Sequence, residues 1–79
     1  MDREIAWTKF AAYLLTDGCI TVEGDRGYYA TLVNTDQRIL NDFLDVLNSF
    51  NLSARITKGT RSYKIRKGCT NLLKKLLWA

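Results

Sequence analysis

Histidine and proline are both missing from this 79-residue chain. Without histidine, imidazole acid–base catalysis and Ser-His triads are excluded. Without proline, and with no stretch rich in serine and glycine, nothing marks a linker, and the length suits one domain spanning 1–79. Cysteine is scarce. Cys19 and Cys69 lie too far apart for a zinc spacing or a disulfide framework. They are expected to be two small buried hydrophobes in a reducing compartment. The five glycines, Gly18, Gly24, Gly27, Gly59 and Gly68, form no phosphate-binding loop signature. No apolar run approaches the roughly 20 residues of a membrane span. The opening Met-Asp-Arg-Glu has no apolar leader. The expectation is an intracellular protein of cytoplasm or nucleoid, with no membrane partner and no small-molecule substrate.

Acidic residues are absent from the last third. Through Leu52 the chain carries 4 basic and 8 acidic residues, and from Ser53 onward 8 basic and none acidic. The net charge of +4 is mild, but its placement predicts a polarised surface able to meet a polyanion. A chain this short buries a modest core, and with no disulfide or metal staple, oligomerisation is the remaining common source of stability.

What is present reads as α-β-β-α-β-β-α. Asp2 caps a helix running to Thr16 whose later part is apolar almost all round, so one side of it needs cover beyond the domain's own sheet. Asp17-Gly18 ends it. Strands are expected over Cys19–Glu23 and Tyr28–Val33 around the turn Gly24–Gly27. The 3.6-residue period of Ile39, Leu40, Phe43, Leu44, Val46, Leu47 and Phe50 predicts a helix over about Asp36–Phe50. Strands follow over Ser53–Lys58 and Arg61–Arg66 around a tight Gly59-Thr60 turn. Gly68 breaks the last strand, and Thr70 or Asn71 caps a helix over Leu72–Trp78. The fold class is α+β: a four-stranded antiparallel sheet with helices on one face and the other face open.

The period of two assigns the faces. Ile20, Val22, Ala30, Leu32, Ala54 and Ile56 point to the helices, with Tyr63 and Ile65 if the fourth strand follows the same phase. The open face then carries Thr21, Tyr29, Thr31, Arg55, Thr57, Lys64 and Arg66, along with Cys19 and Glu23. Lys58 and Arg61 flank the turn. Basic groups that reach phosphates and short polar groups that read base edges suit double-stranded DNA, whose major groove admits a β-ribbon.

The segment Phe10-Ala11-Ala12-Tyr13-Leu14-Leu15-Thr16-Asp17-Gly18 resembles the motif that names the LAGLIDADG homing endonucleases. An apolar residue opens it, two small residues follow, apolar residues continue, Asp-Gly closes it, and a strand beginning Cys19-Ile20 comes next. The element order matches that family's minimal repeat over essentially the whole chain, the single-motif, homodimeric type, with the motif helix over about 2–17. The resemblance implies that two copies pair through this helix, with Ala11 and Ala12 allowing close approach and Trp7, Leu14 and Leu15 completing the interface. It implies that Asp17 is the metal ligand, with the Thr16 carbonyl beside it, for magnesium or manganese. Two such sites near the dimer axis would cut both strands of a pseudo-palindromic duplex. In the family a polar residue after the second strand and a basic residue late in the fourth organise water at the phosphate. Asn34, Thr35 or Asp36 occupies the first position, with Thr35 the candidate catalytic residue, and Arg66, or in its place Lys64, occupies the second. Leu15 departs from the motif, because many members are acidic there. The wider family also includes non-cleaving transcription regulators and RNA splicing helpers, which leaves a binding module of the same fold as the alternative to an endonuclease.

Overall fold

In the computed structural model, which describes residues 1–78, the Asp2 carboxylate accepts the Glu4 backbone N–H at 2.7 Å. This capping bond satisfies one of the free donors of the first turn and starts α1 (Arg3–Thr16). The chain then forms β1 (Gly18–Val22), a 3-10 turn at Gly24–Arg26 and β2 (Tyr28–Asn34). Asp36 caps α2 (Gln37–Ser49), after which come β3 (Thr57–Lys58), β4 (Tyr63–Gly68) and α3 (Thr70–Trp78). The sheet is antiparallel with strand order β1-β2-β4-β3. The expected α+β architecture holds.

The second hairpin departs from the expected boundaries. Only Thr57 and Lys58 pair with β4, so the strand expected from Ser53 is unpaired until its last two residues. Gly59–Ser62 forms the turn, closed by the Gly59 N–H donating to the Ser62 carbonyl at 2.8 Å, in place of a two-residue Gly59-Thr60 turn. β4 accordingly starts and ends two residues late. A shift of two preserves the side-chain phase, so the assigned faces survive it. Gly68 is the last residue of β4 rather than its breaker, and α3 begins at Thr70 instead of Leu72. The Thr70 hydroxyl accepts the Tyr28 backbone N–H at 3.0 Å, which ties α3 to the start of β2.

The core lies between the helices and one sheet face. Ala30, Leu32 and Ile65 are fully buried beneath Ala6, Phe10, Leu40, Phe43, Val46, Leu47 and Leu73. Ile20, Ala54, Ile56 and Tyr63 pack against this core as half-buried residues. Val22 keeps the inward phase but lies 58% exposed at the end of β1. An aromatic spine joins α1 to α2: Phe10 stacks on Phe43 at 6.0 Å, Tyr13 meets Phe43 edge-on at 5.9 Å, and Trp7 contacts Phe10 and Phe50.

Gly18 has a packing role. A Cβ there would lie 2.8 Å from the Cα of Leu14 and 3.0 Å from the Thr31 carbonyl oxygen. Only a residue without a side chain lets the end of α1 press this closely onto the first hairpin.

Candidate functional site

Three helices cover one face of the sheet, so the side chains of opposite phase have no protein layer above them. The register sorts them into rows. Thr21, Tyr29 and Gly68 are aligned, then Cys19, Thr31 and Arg66, then Val33, Lys64 and Thr57. Cys19 is exposed in the second row, contrary to the expectation of two buried thiols, whereas Cys69 is buried and its thiol pKa is pushed up by desolvation. Val33, Thr57, Lys58, Gly59, Ser62 and Lys64 line a shallow hollow at the second-hairpin edge. Arg55, Lys58 and Arg61 are exposed around that edge. Lys58 pairs with Tyr63 and so belongs to the helix-side phase; it contributes to the rim rather than to the open face.

Asp17 terminates α1. Its backbone N–H donates to the Tyr13 carbonyl at 2.9 Å, and Gly18 then enters β1. Because the chain leaves the helix here, the Leu14, Leu15 and Thr16 carbonyls find no helical donor four residues on. These carbonyls form the negative end of the helix dipole, and a carboxylate added to them is disfavoured unless a cation is near. No basic residue lies in the last turn of α1. Asp17 takes part in none of the ion pairs formed among the described residues. Among the described residues no group of three or more His, Cys, Asp or Glu side chains comes together. One chain therefore offers one carboxylate and the neighbouring Thr16 carbonyl, both hard oxygen donors. That is a partial shell of the kind magnesium completes with water and phosphate oxygens.

β1 starts opposite Leu32, so the segment after β2 lies at the same sheet end as Asp17. There the Asn34 side-chain oxygen accepts the Asp36 N–H at 2.8 Å. Asp36 in turn caps α2 and pairs with Arg38, which holds its carboxyl below the ordinary range. Asn34 and Asp36 are thus engaged locally, and the exposed Thr35 stands between them.

Arg66 goes elsewhere. Its guanidinium pairs with the Glu23 carboxylate and lies 4.3 Å over the Tyr29 ring. Glu23 and Asp17 flank β1 at opposite ends, roughly 20 Å apart at about 3.4 Å per residue. The cation expected to serve the Asp17 end is drawn to the other end of the sheet. Lys64, in the row nearest Asp17, is exposed and outside those ion pairs.

The residues expected at a helix–helix interface divide as well. Leu14 is only 5% exposed, within the chain's own core, and Trp7 is half-buried in the aromatic spine. Ala11 is half-buried, whereas Ala12 is exposed. Leu15 is 81% exposed and Ile5 53%. Helical phase puts Ile5, Thr8, Ala12 and Leu15 on one stripe, so the uncovered side of α1 is real but narrower than its composition suggests.

One cluster escaped the sequence reading. Tyr13 Oη donates to Asp42 at 2.5 Å and Lys9 Nζ to the same carboxylate at 3.1 Å, linking the motif helix to α2. The Tyr13 hydrogen bond, more than Lys9, holds the Asp42 carboxyl below its usual range, and the same bond pushes the Tyr13 phenol up to about 12. The available signal was the phase of Asp42, three residues after Ile39 and beside Phe43, at the border of the apolar stripe.

Comparison with known proteins bears on this geometry. A family model described as a LAGLIDADG-like domain matches residues 8–76. The chain belongs to the LAGLIDADG family. No curated protein and no solved structure matches it significantly. LAGLIDADG domains are typically DNA-binding nucleases that work as dimers or with two domains and use divalent metals. The matched region runs from within α1 to within α3 and includes Asp17 and every strand.

Proposed function

We propose that the protein is a homodimeric, divalent-metal-dependent DNA endonuclease that cleaves both strands of a pseudo-palindromic duplex. The observation that carries this reading is Asp17. A carboxylate sits at the negative end of α1 with no basic residue in the helix's last turn, in a family whose members use a metal. A pair of chains related by a two-fold axis through the Ile5, Ala12 and Leu15 stripe would bring two Asp17 residues together and double the net charge of +4. Magnesium or manganese held by Asp17 and the Thr16 carbonyl would acidify a bound water and offset charge on the phosphate. Around it, Thr35 is free to orient a water and Lys64 to steady the phosphate. Thr21, Tyr29, Thr31 and Thr57 offer groups to base edges, and Arg55, Lys58 and Arg61 to the backbone.

A second reading, a DNA- or RNA-binding module of the same fold without cleavage, is favoured by Arg66. Its engagement with Glu23 leaves the Asp17 end without a guanidinium. Asp17→Asn separates the two readings. The nuclease reading predicts duplex cutting with magnesium that falls at least about 100-fold in the variant while duplex binding persists. Absence of metal-dependent cutting from the unsubstituted chain, on a duplex it demonstrably binds, favours the binding module.

A further inference from the structure

Arg66 occupies the middle of the open face, and two neighbours restrain it. Its Nη2 group donates to the Glu23 carboxylate, and its Cζ lies 4.3 Å from the Tyr29 ring centroid. Tyr29 is itself seated, because its ring lies over Gly68, where a Cβ would meet it at 3.2 Å. Glu23, just after β1, and Tyr29 on β2 thus flank the guanidinium that β4 supplies. Arg66 nevertheless stays 42% exposed. A guanidinium has five N–H donors, and the Glu23 contact leaves donors on its other nitrogens.

From this arrangement we infer that Arg66 reads a guanine in the major groove, with Glu23 and Tyr29 as positioning residues. The inference rests on the duplex-binding reading above and deepens it. A flat fork matches the O6 and N7 acceptors of guanine, and restraining it before binding lowers the cost of ordering a long side chain. Charge gives an independent reason. Glu23 cancels the field of Arg66, so this residue adds little to the counterion-driven attraction that phosphate contacts supply. Lys64, Arg55 and Arg61 take part in none of the ion pairs among the described residues and suit phosphates better. The open face therefore divides its cations between sequence discrimination and affinity.

The test is selection of binding sites from a randomised duplex library in chelator, followed by salt titration on the selected duplex. The intact chain is compared with its Arg66→Lys, Glu23→Gln and Lys64→Gln variants. The unsubstituted protein selects a G·C pair at one position of each half-site. Arg66→Lys keeps the charge but loses the planar fork, so it loses about 5- to 150-fold of discrimination at that position and keeps its salt slope. Glu23→Gln blurs the same position and, by freeing a cation, steepens the slope by about 0.9. Lys64→Gln weakens binding to all sequences and lowers the slope by about 0.9. Retention of the G·C preference in both Arg66→Lys and Glu23→Gln overturns the inference, and the second variant decides the matter if the first fails to fold. A selected site with no G·C position overturns this inference alone. Failure to select any duplex overturns the proposed function and this inference together.

Discussion

In the first hairpin every residue from Gly18 to Val22 has a partner across the strands, whereas in the second only Thr57 and Lys58 do. The two also differ in charge. The first contributes Glu23 and Asp25 beside one arginine, and the segment from Ser53 through β4 contributes six cations and no acid. The contrast teaches a division of labour. β2 and β4 form the middle of the sheet, and their inward residues Ala30, Leu32 and Ile65 are fully buried. β3 is a short edge whose charged flanks discourage further strand addition while leaving cations for a polyanion. The first hairpin and β4 hold the fold, and the edge around β3 carries exposed cations at Arg55, Lys58 and Arg61.

The largest expected effect breaks that contrast at its core. Leu32→Ala empties a fully buried site on β2, the strand that packs against all three helices, and should cost about 2–5 kcal/mol. Ile56→Ala, on the half-buried and unpaired approach to β3, should cost less than about 2 kcal/mol. Urea unfolding of both variants checks this. Equal losses would mean that the second hairpin carries as much of the fold as the first.

A smaller effect concerns how α1 is set against α2. The Tyr13 hydroxyl and Lys9 depress the Asp42 carboxyl, so the folded state favours the ionised form more than the unfolded chain does. Its contribution is present above the unfolded value near 4 and is lost as pH falls through the depressed folded value. Asp42→Asn should therefore destabilise the protein at pH 7 and converge on the unsubstituted protein in strong acid. Tyr13 has the opposite sign. Its phenol is raised to about 12, so its contribution is complete below about pH 10 and lost as pH rises through 12. Thermal unfolding of the variant and parent from pH 2 to 8 tests the acid limb. A gap that stays constant down to pH 2 would mean that ionisation of Asp42 does not matter.

Legibility in the sequence follows the same contrast. α1, the first hairpin and α2 were readable because strong local signals agreed: the Asp2 cap, the turn at Gly24–Gly27 and a long 3.6-residue period. The alternation of Ser53–Lys58 also promised a strand, and Ala54 and Ile56 do face inward as that pattern says. A backbone ladder, however, requires a partner in register, and the turn through Ser62 supplies one only for Thr57 and Lys58. Pairing of this kind is a tertiary fact that local pattern does not hold. The candidate site divides likewise. Asp17 was legible because a short motif fixes its place. The capture of Arg66 by Glu23 joins residues 43 positions apart, from the end of β1 past β2 to β4, and no local spacing encodes it. Leu14 and Trp7 sit in an apolar run whose sequence gives no indication of which side the sheet takes and which side it leaves bare.

In the proposed dimer one chain supplies half of a site, and the bare stripe of α1 joins the halves. Light scattering at several protein concentrations, with magnesium and a bound duplex, tests it most directly. The expected species has a mass of twice 9.1 kDa plus the duplex, returned to a single chain by Leu15→Glu at the 81% exposed position. A strict monomer on DNA under these conditions would leave each Asp17 alone and rule out the paired site.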